Sequence, residues 1–287
     1  MPEVRSRTVE ANGLHFAIDE AGEGNKIALL LHGFPESRLC WRHQLPALAA
    51  LGWRAVALDM RGYGQSSRPH GRPAYRIERL VEDVGSLFDS LGAKRRLLIG
   101  HDWGGIVAWA AAIRRVRPLD GLIIVNAPHP AVYARVIRRS WKQRLRSLYV
   151  LYFALPWLPE KILTAGHARQ IQTALRRTAV RDDVFPPEIL AQYRDNAVQP
   201  GAMTAMLDYY RANLDLKRIS AGPGVDVPTL LLWGDRDFAL GKELVPGTAD
   251  HVPDLTVRML AGVSHWAPEE APDEVNAAIG EWLTSRH

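Results

Sequence analysis

The chain has 287 residues, 47% hydrophobic and 23% charged, a balance that excludes a disordered or collagen-like chain and suits one large buried core. The single cysteine, Cys40, excludes an intrachain disulfide and reads as a packing residue. The net charge of +5 is carried mostly by arginine, which by itself argues for no nucleic-acid partner. Neither a signal-like N-terminus nor an apolar run approaching the ~18 residues of a membrane span is present, so a cytoplasmic chain without an integral membrane segment is expected.

Residues 8–9 and 14–18 read as an antiparallel edge. Apolar, branched runs follow at 27–31, 55–58, 97–99 and 122–125, each closed by a turn signal: His32-Gly33, Asp59-Met60-Arg61-Gly62, Gly100 and Asn126-Ala127-Pro128. Runs without polar alternation predict strands buried on both faces, hence parallel. Helical patterns at 77–91 and 103–113 lie between them, and such alternation predicts an α/β sheet covered by helices on both sides. From 131 to about 221 the pattern is helical throughout, broken by prolines at 156, 159, 186, 187 and 200. Strand patterning returns at 229–233 and 256–260, and a helix at 272–285 closes the chain. The expected organisation is therefore an α/β core, 1–130 and 222–287, interrupted by a helical lid, 131–221, with no internal repeat.

Residues 131–159 contain no acid, while Arg135, Arg138, Arg139, Lys142, Arg144 and Arg146 cluster there. Arg135, Arg138, Lys142 and Arg146 fall at helical spacing on one face. A solvated outer face is the plainer reading, a membrane or partner surface the sharper one.

Ligands of open α/β sheets bind at the carboxyl ends of the strands. Asp102 follows one predicted strand, Asp235 and Asp237 follow another, and His265 follows a third. The surround of Asp102, Gly100-His101-Asp102-Trp103-Gly104, matches the G-x-S-x-G elbow with aspartate in the serine place. Alone, Asp102 would serve equally as an N-cap for the helix at 103–113. With the glycines, the later acids and the histidine, the chain order becomes that of a nucleophile–acid–histidine triad.

Together, His32-Gly33-Phe34-Pro35-Glu36, Asp59-Met60-Arg61-Gly62-Tyr63-Gly64-Gln65-Ser66, the stretch 100–105, the stretch 233–237 and Ser264-His265-Trp266 resemble the epoxide hydrolases of the α/β-hydrolase fold. The resemblance spans nearly the whole chain. It implies that Asp102 is the nucleophile. A carboxylate can open a strained ring at an sp³ carbon and form an ester, which water can cleave; a serine would give an inert ether. It further implies His265 as general base, oriented by Asp237 rather than Asp235, for which a loop role or an arginine partner is the alternative. The backbone N–H groups of Phe34 and Trp103 would form the oxyanion hole, with His32, Gly33 and Pro35 shaping the turn that carries Phe34. His101 would point away and be structural.

In the same family two lid tyrosines protonate the leaving oxygen. The stretches 151–156 and 208–211 resemble those that carry them, which implies Tyr152 and Tyr210. Tyr133, Ile137, Trp141, Leu145, Leu148 and Tyr152 recur in steps of four and three, which would turn Tyr152 inward; Met203, Met206 and Tyr210 share a helix face. Tyr149 and Tyr209 are the neighbouring alternatives, and ordinary core packing is the bland one.

A dehalogenase on the same fold is the competing reading. Haloalkane dehalogenases, however, usually carry Asn or Glu where Phe34 stands, and fluoroacetate dehalogenases a His-Trp pair where Tyr149-Val150 stands. A silent ligand-binding protein is a third. The expected partners are a small apolar epoxide and water, with no cofactor, no metal-ligand spacing and no nucleic acid; a homodimer is left open.

Overall fold

Alternation within single strands divides the core into two layers. In β3 (Lys26–Leu31), Ile27, Leu29 and Leu31 face one side of the sheet, Ala28 and Leu30 the other, and all five are buried. The computed structural model describes residues 2–181 and 183–286. It contains one eight-stranded sheet in the order β1-β2-β4-β3-β5-β6-β7-β8. The remaining strands are β1 (Val4–Ala11), β2 (Leu14–Ala21), β4 (Arg54–Leu58), β5 (Arg95–His101), β6 (Gly121–Val125), β7 (Thr229–Gly234) and β8 (Leu255–Leu260). Pairings are parallel from β4 to β8, while β1–β2 and β2–β4 are antiparallel.

Helices α1 (Gln44–Ala50) and α12 (Pro272–Thr284) cover one face, contributing Leu45, Leu48, Val275, Ile279 and Trp282 to its apolar layer. Helices α2 (Ile77–Ser90) and α3 (Trp103–Ile113) cover the other, through Val84, Leu87, Phe88, Val107 and Trp109. Because β4 and β5 lie on opposite sides of β3, successive connections diverge there. This opens a crevice at the strands' carboxyl ends.

Between β6 and β7 the chain forms α4 (Pro130–Arg139), α5 (Trp141–Arg146), α6 (Leu148–Ala154), α7 (Leu158–Thr178), α8 (Pro187–Val198), α9 (Ala202–Ala212) and α10 (Leu216–Ile219). This insertion shares the core's apolar layer: Met203, Met206, Tyr209 and Tyr210 of α9 are all buried, and the Tyr209 hydroxyl donates to the Arg61 carbonyl at 2.8 Å. The short α11 (Ala267–Glu270) precedes α12.

The single helical stripe expected over 133–152 is not formed. Ser140 takes an extended conformation (φ −97°, ψ 110°) and its hydroxyl accepts from the Gln143 N–H, starting a new helix; a further break falls at Ser147. Three short helices, α4, α5 and α6, replace one. Trp141, Leu145 and Leu148 are consequently 61%, 55% and 52% exposed instead of buried.

Candidate active site

Strand β5 ends at His101, and the chain reverses at Asp102 with φ 49° and ψ −118°. A non-glycine residue held in a sparsely populated region costs on the order of 1–3 kcal/mol. The close approach beside it explains why the turn tolerates nothing larger: a Cβ on Gly104 would lie 2.1 Å from the Leu31 carbonyl oxygen. Asp102 makes no side-chain bond to the helix it precedes, so it is not a helix cap. Its Oδ1 accepts instead from the Phe34 N–H at 2.8 Å, and its Oδ2 lies 3.6 Å from His265 Nε2, an ion-pair distance.

The His265 ring is buried between two carboxylates. Its Nδ1 donates to Asp237 Oδ2 at 2.7 Å, which leaves Nε2 facing Asp102. Burial disfavours the imidazolium, but the charges and hydrogen bonds of Asp237 and Asp102 outweigh it and raise the pKa to about 10. Burial likewise works to raise the Asp102 carboxyl; His265, His101 and the Phe34 N–H overcome it and hold it below the ordinary value. At rest Asp102 is thus ionised and His265 is an imidazolium beside it.

Asp237 itself is over-determined. Its Oδ1 accepts from the N–H groups of Ala239 and Leu240, both at 2.8 Å, and its Oδ2 from Asn126 Nδ2 at 2.8 Å. Asn126 was legible only as a turn residue after β6, and its role as a neighbour of Asp237 comes from the fold. Its Oδ1 accepts from the Gly234 N–H at 3.2 Å, and its φ is 45°. Asp235 is elsewhere: its Oδ1 accepts from the Gly262 N–H at 2.7 Å in a surface loop.

Phe34 is brought to Asp102 by the turn after β3. A Cβ on Gly33 would stand 2.4 Å from the Asp102 Cβ, so only glycine permits this approach. His32 accepts the Met60 N–H through Nε2 at 3.0 Å, so its Nδ1 carries the proton and donates to the Gly33 carbonyl at 2.8 Å. Burial pushes its pKa down, consistent with a neutral, structural ring. Pro35 follows in a cis peptide with Phe34. Trp103 opens α3, where a backbone N–H has no helical partner. His101 turns away: Nε2 donates to the His265 carbonyl at 2.9 Å, and Nδ1 faces Glu36 Oε2 at 2.9 Å.

A cavity of about 400 Å³ opens in front of Asp102. Its wall is apolar for the most part, with Ile106, Ile137, Val150 and Leu240 among the lining side chains, and three tyrosines complete it: Tyr149, Tyr210 and Tyr133, whose hydroxyl donates to Ser147 Oγ at 2.9 Å. The expectation for Tyr152 is corrected here. With the helix broken at Ser140 and Ser147, α6 presents Tyr149 to the cavity, while Tyr152 lies outside its lining and has Glu160 as its charged neighbour. Tyr210 packs edge-on against Trp103, Phe34 and Phe153, at centroid distances of 5.0, 5.7 and 5.0 Å. Burial, and after it the Asp102 charge, push both the Tyr149 and Tyr210 hydroxyls well above the ordinary tyrosine value. Both are therefore protonated donors at neutral pH.

No group of three or more potential metal ligands occurs among the described residues. No described helix is long and apolar enough to cross a membrane.

A strand-turn-helix elbow, an acid and a histidine on the next strand ends, and a helical insertion above them define the class, and the family comparison agrees: residues 28–272 match the alpha/beta hydrolase fold family. The chain belongs to that family and is a hydrolase of the epoxide-hydrolase type. It is 36% identical over its full length, and that of its relative, to the AB hydrolase superfamily protein YfhM of Bacillus subtilis (strain 168). It is also 36% identical to human Epoxide hydrolase 4, over 96% of this chain and 77% of that one. The crystal structure of Bacillus megaterium epoxide hydrolase in complex with an inhibitor superposes with a TM-score of 0.89 at 30% identity, covering 97% of this chain and 100% of the other.

Proposed function

We propose that the protein hydrolyses an apolar epoxide to a vicinal diol through a covalent ester on Asp102. The observation that carries this reading is one largely apolar cavity lined by an ionised Asp102 and by the protonated Tyr149 and Tyr210, with the Asp237–His265 pair adjoining Asp102. The insertion at 131–221 acts as the cap that supplies those hydroxyls and closes the crevice over the 1–130 and 222–287 core.

In the first half-reaction an Asp102 oxygen attacks a ring carbon. The carbon–oxygen bond of the epoxide breaks, and the ring oxygen takes a proton from Tyr149 or Tyr210. In the second, water attacks the carbonyl carbon of the ester while neutral His265 removes its proton, and the oxyanion is held by the N–H groups of Phe34 and Trp103. Collapse breaks the acyl–oxygen bond; the leaving alkoxide takes the proton of the regenerated Asp102 carboxyl group and departs as the diol, leaving Asp102 ionised and His265 protonated as at rest.

The resting charge state explains how one histidine serves this cycle. While Asp102 is ionised, His265 is an imidazolium and positions the carboxylate. Alkylation erases the Asp102 charge, so one of the two groups that raise the histidine pKa disappears. His265 then releases its proton, which restores the tyrosine, and becomes the base.

A dehalogenase reading is less well supported: two hydroxyls beside the nucleophile suit a developing alkoxide, which needs a proton, better than a halide. The test is a single turnover with enzyme in excess in ¹⁸O-water. Covalent chemistry gives unlabelled diol and places ¹⁸O in the Asp102 peptide. Labelled diol with an unlabelled peptide would refute the mechanism, and halide release from haloalkanes without diol formation from epoxides would refute the substrate class.

A further inference from the structure

The insertion carries a feature that the reaction does not use. Trp141, Leu145, Leu148, Leu151, Leu155 and Trp157 are each at least 45% exposed, six of the seven large apolar side chains exposed to that degree among the described residues. Exposed apolar side chains concentrated in one short stretch of the chain point to an interaction surface. The same stretch lies in the acid-free block 131–159. Of its basic residues, Arg135 pairs with Asp250 at 3.3 Å and Arg146 with Glu243 at 3.7 Å. Arg138, Arg139, Lys142 and Arg144 are exposed and have no carboxylate partner among the described residues.

This face is continuous with the cavity. Arg144, Leu148, Leu151 and Leu214 line the opening in front of Asp102 and are also exposed to solvent. We infer that the exposed side chains of residues 138–157, from the end of α4 to the start of α7, form a docking surface for an anionic lipid bilayer, which seats the cavity mouth at the membrane interface.

Charge and chemistry select this occupant. Tryptophans and leucines intermixed with unpaired arginines and lysine are the composition of an interfacial amphipathic element, with the indoles at headgroup depth and the cations on lipid phosphates. A second copy of the chain is disfavoured, because a two-fold contact through this face would set the same unpaired cations against one another. Docked this way, the cavity would receive apolar molecules directly from the hydrocarbon layer. That delivery rests on the epoxide reading above; the docking does not, and it is measured without substrate.

The experiment is co-sedimentation with vesicles of phosphatidylcholine alone and of equal phosphatidylcholine and phosphatidylglycerol, with sedimentation velocity on the lipid-free protein in parallel. The mixed vesicles should bind the protein and the neutral ones much less. R138Q with R139Q should weaken binding by about fivefold per cation removed. W141S with W157S should weaken it by about tenfold or more. All four changes lie outside the cavity lining, so melting temperature and turnover of a water-dissolved epoxide should be preserved. Absence of binding to the mixed vesicles at low salt overturns the inference, as does binding indifferent to both variant pairs. Self-association without lipid that W141S with W157S abolishes would assign the face to a second copy instead.

Discussion

Replacing Tyr149 by Phe removes one hydroxyl from the cavity wall and should change chemistry without changing the fold, since that hydroxyl has no hydrogen-bond partner among the described residues that would be left orphaned. Its worth can be bounded. A hydrogen bond to a charged acceptor contributes about 1.5–3 kcal/mol, here realised only as the ring oxygen develops charge, so loss of one donor should slow ester formation by roughly 10- to 150-fold. Tyr210→Phe should fall in the same range, because either hydroxyl can protonate the oxygen when the other is gone. The double variant should lose about 10²–10⁴-fold, the full range of general-acid assistance. Tyr152→Phe should be silent, because that ring lies outside the cavity lining. The assay is stopped-flow mixing with enzyme in excess, read by fluorescence of the tryptophans, of which Trp103 adjoins Asp102. A Tyr152→Phe variant slowed as much as Tyr149→Phe, or a double variant with near-normal alkylation, would refute the assignment of the acid to α6 and α9.

Three further outcomes follow from the same geometry. His265→Gln should still be alkylated, since an ionised Asp102 needs no base, and intact-protein mass spectrometry should show an adduct of one substrate mass that persists. Asp237→Asn should impair ester hydrolysis by about 10²-fold or more while Asp235→Asn leaves it near normal, because Asp237, and not Asp235, accepts from His265 Nδ1; equal effects on pre-steady-state hydrolysis rates would contradict this. The raised His265 pKa links stability to pH: its contribution is fully present below 6.5 and is lost as pH rises toward about 10. The melting temperature of the free protein should therefore fall across that window, and Asp237→Asn, which removes the strongest group raising the pKa, should flatten the slope.

The strands and their order of use were legible because each core strand is an unbroken apolar run ended by a turn residue, a local signature that burial on both faces imposes. Asp102, Asp237 and His265 were legible as strand-end residues for the same reason, and glycine at 33 and 104 marks close approaches that no side chain could survive. What the chain could not reveal locally was the path of the insertion. The stripe from Tyr133 to Tyr152 keeps helical periodicity through Ser140 and Ser147, but each serine can satisfy a new helix start as readily as a continuing one. In the fold α6 packs against α9 and the chain breaks at both serines, which exchanges Tyr152 for Tyr149 in the cavity wall and leaves Trp141 and Leu145 in solvent. Asn126 was hidden for a related reason. Its hydrogen bonds run to Asp237 and Gly234, more than a hundred residues away, and a partner at that distance exists only once β6 and β7 lie side by side. Sequence alone thus determined the sheet and the residues at its strand ends, because burial and turn chemistry act on neighbours in the chain. Tertiary structure decided which hydroxyls line the cavity beside Asp102 and what holds Asp237, because those depend on where the helices break and on contacts between strands far apart in sequence.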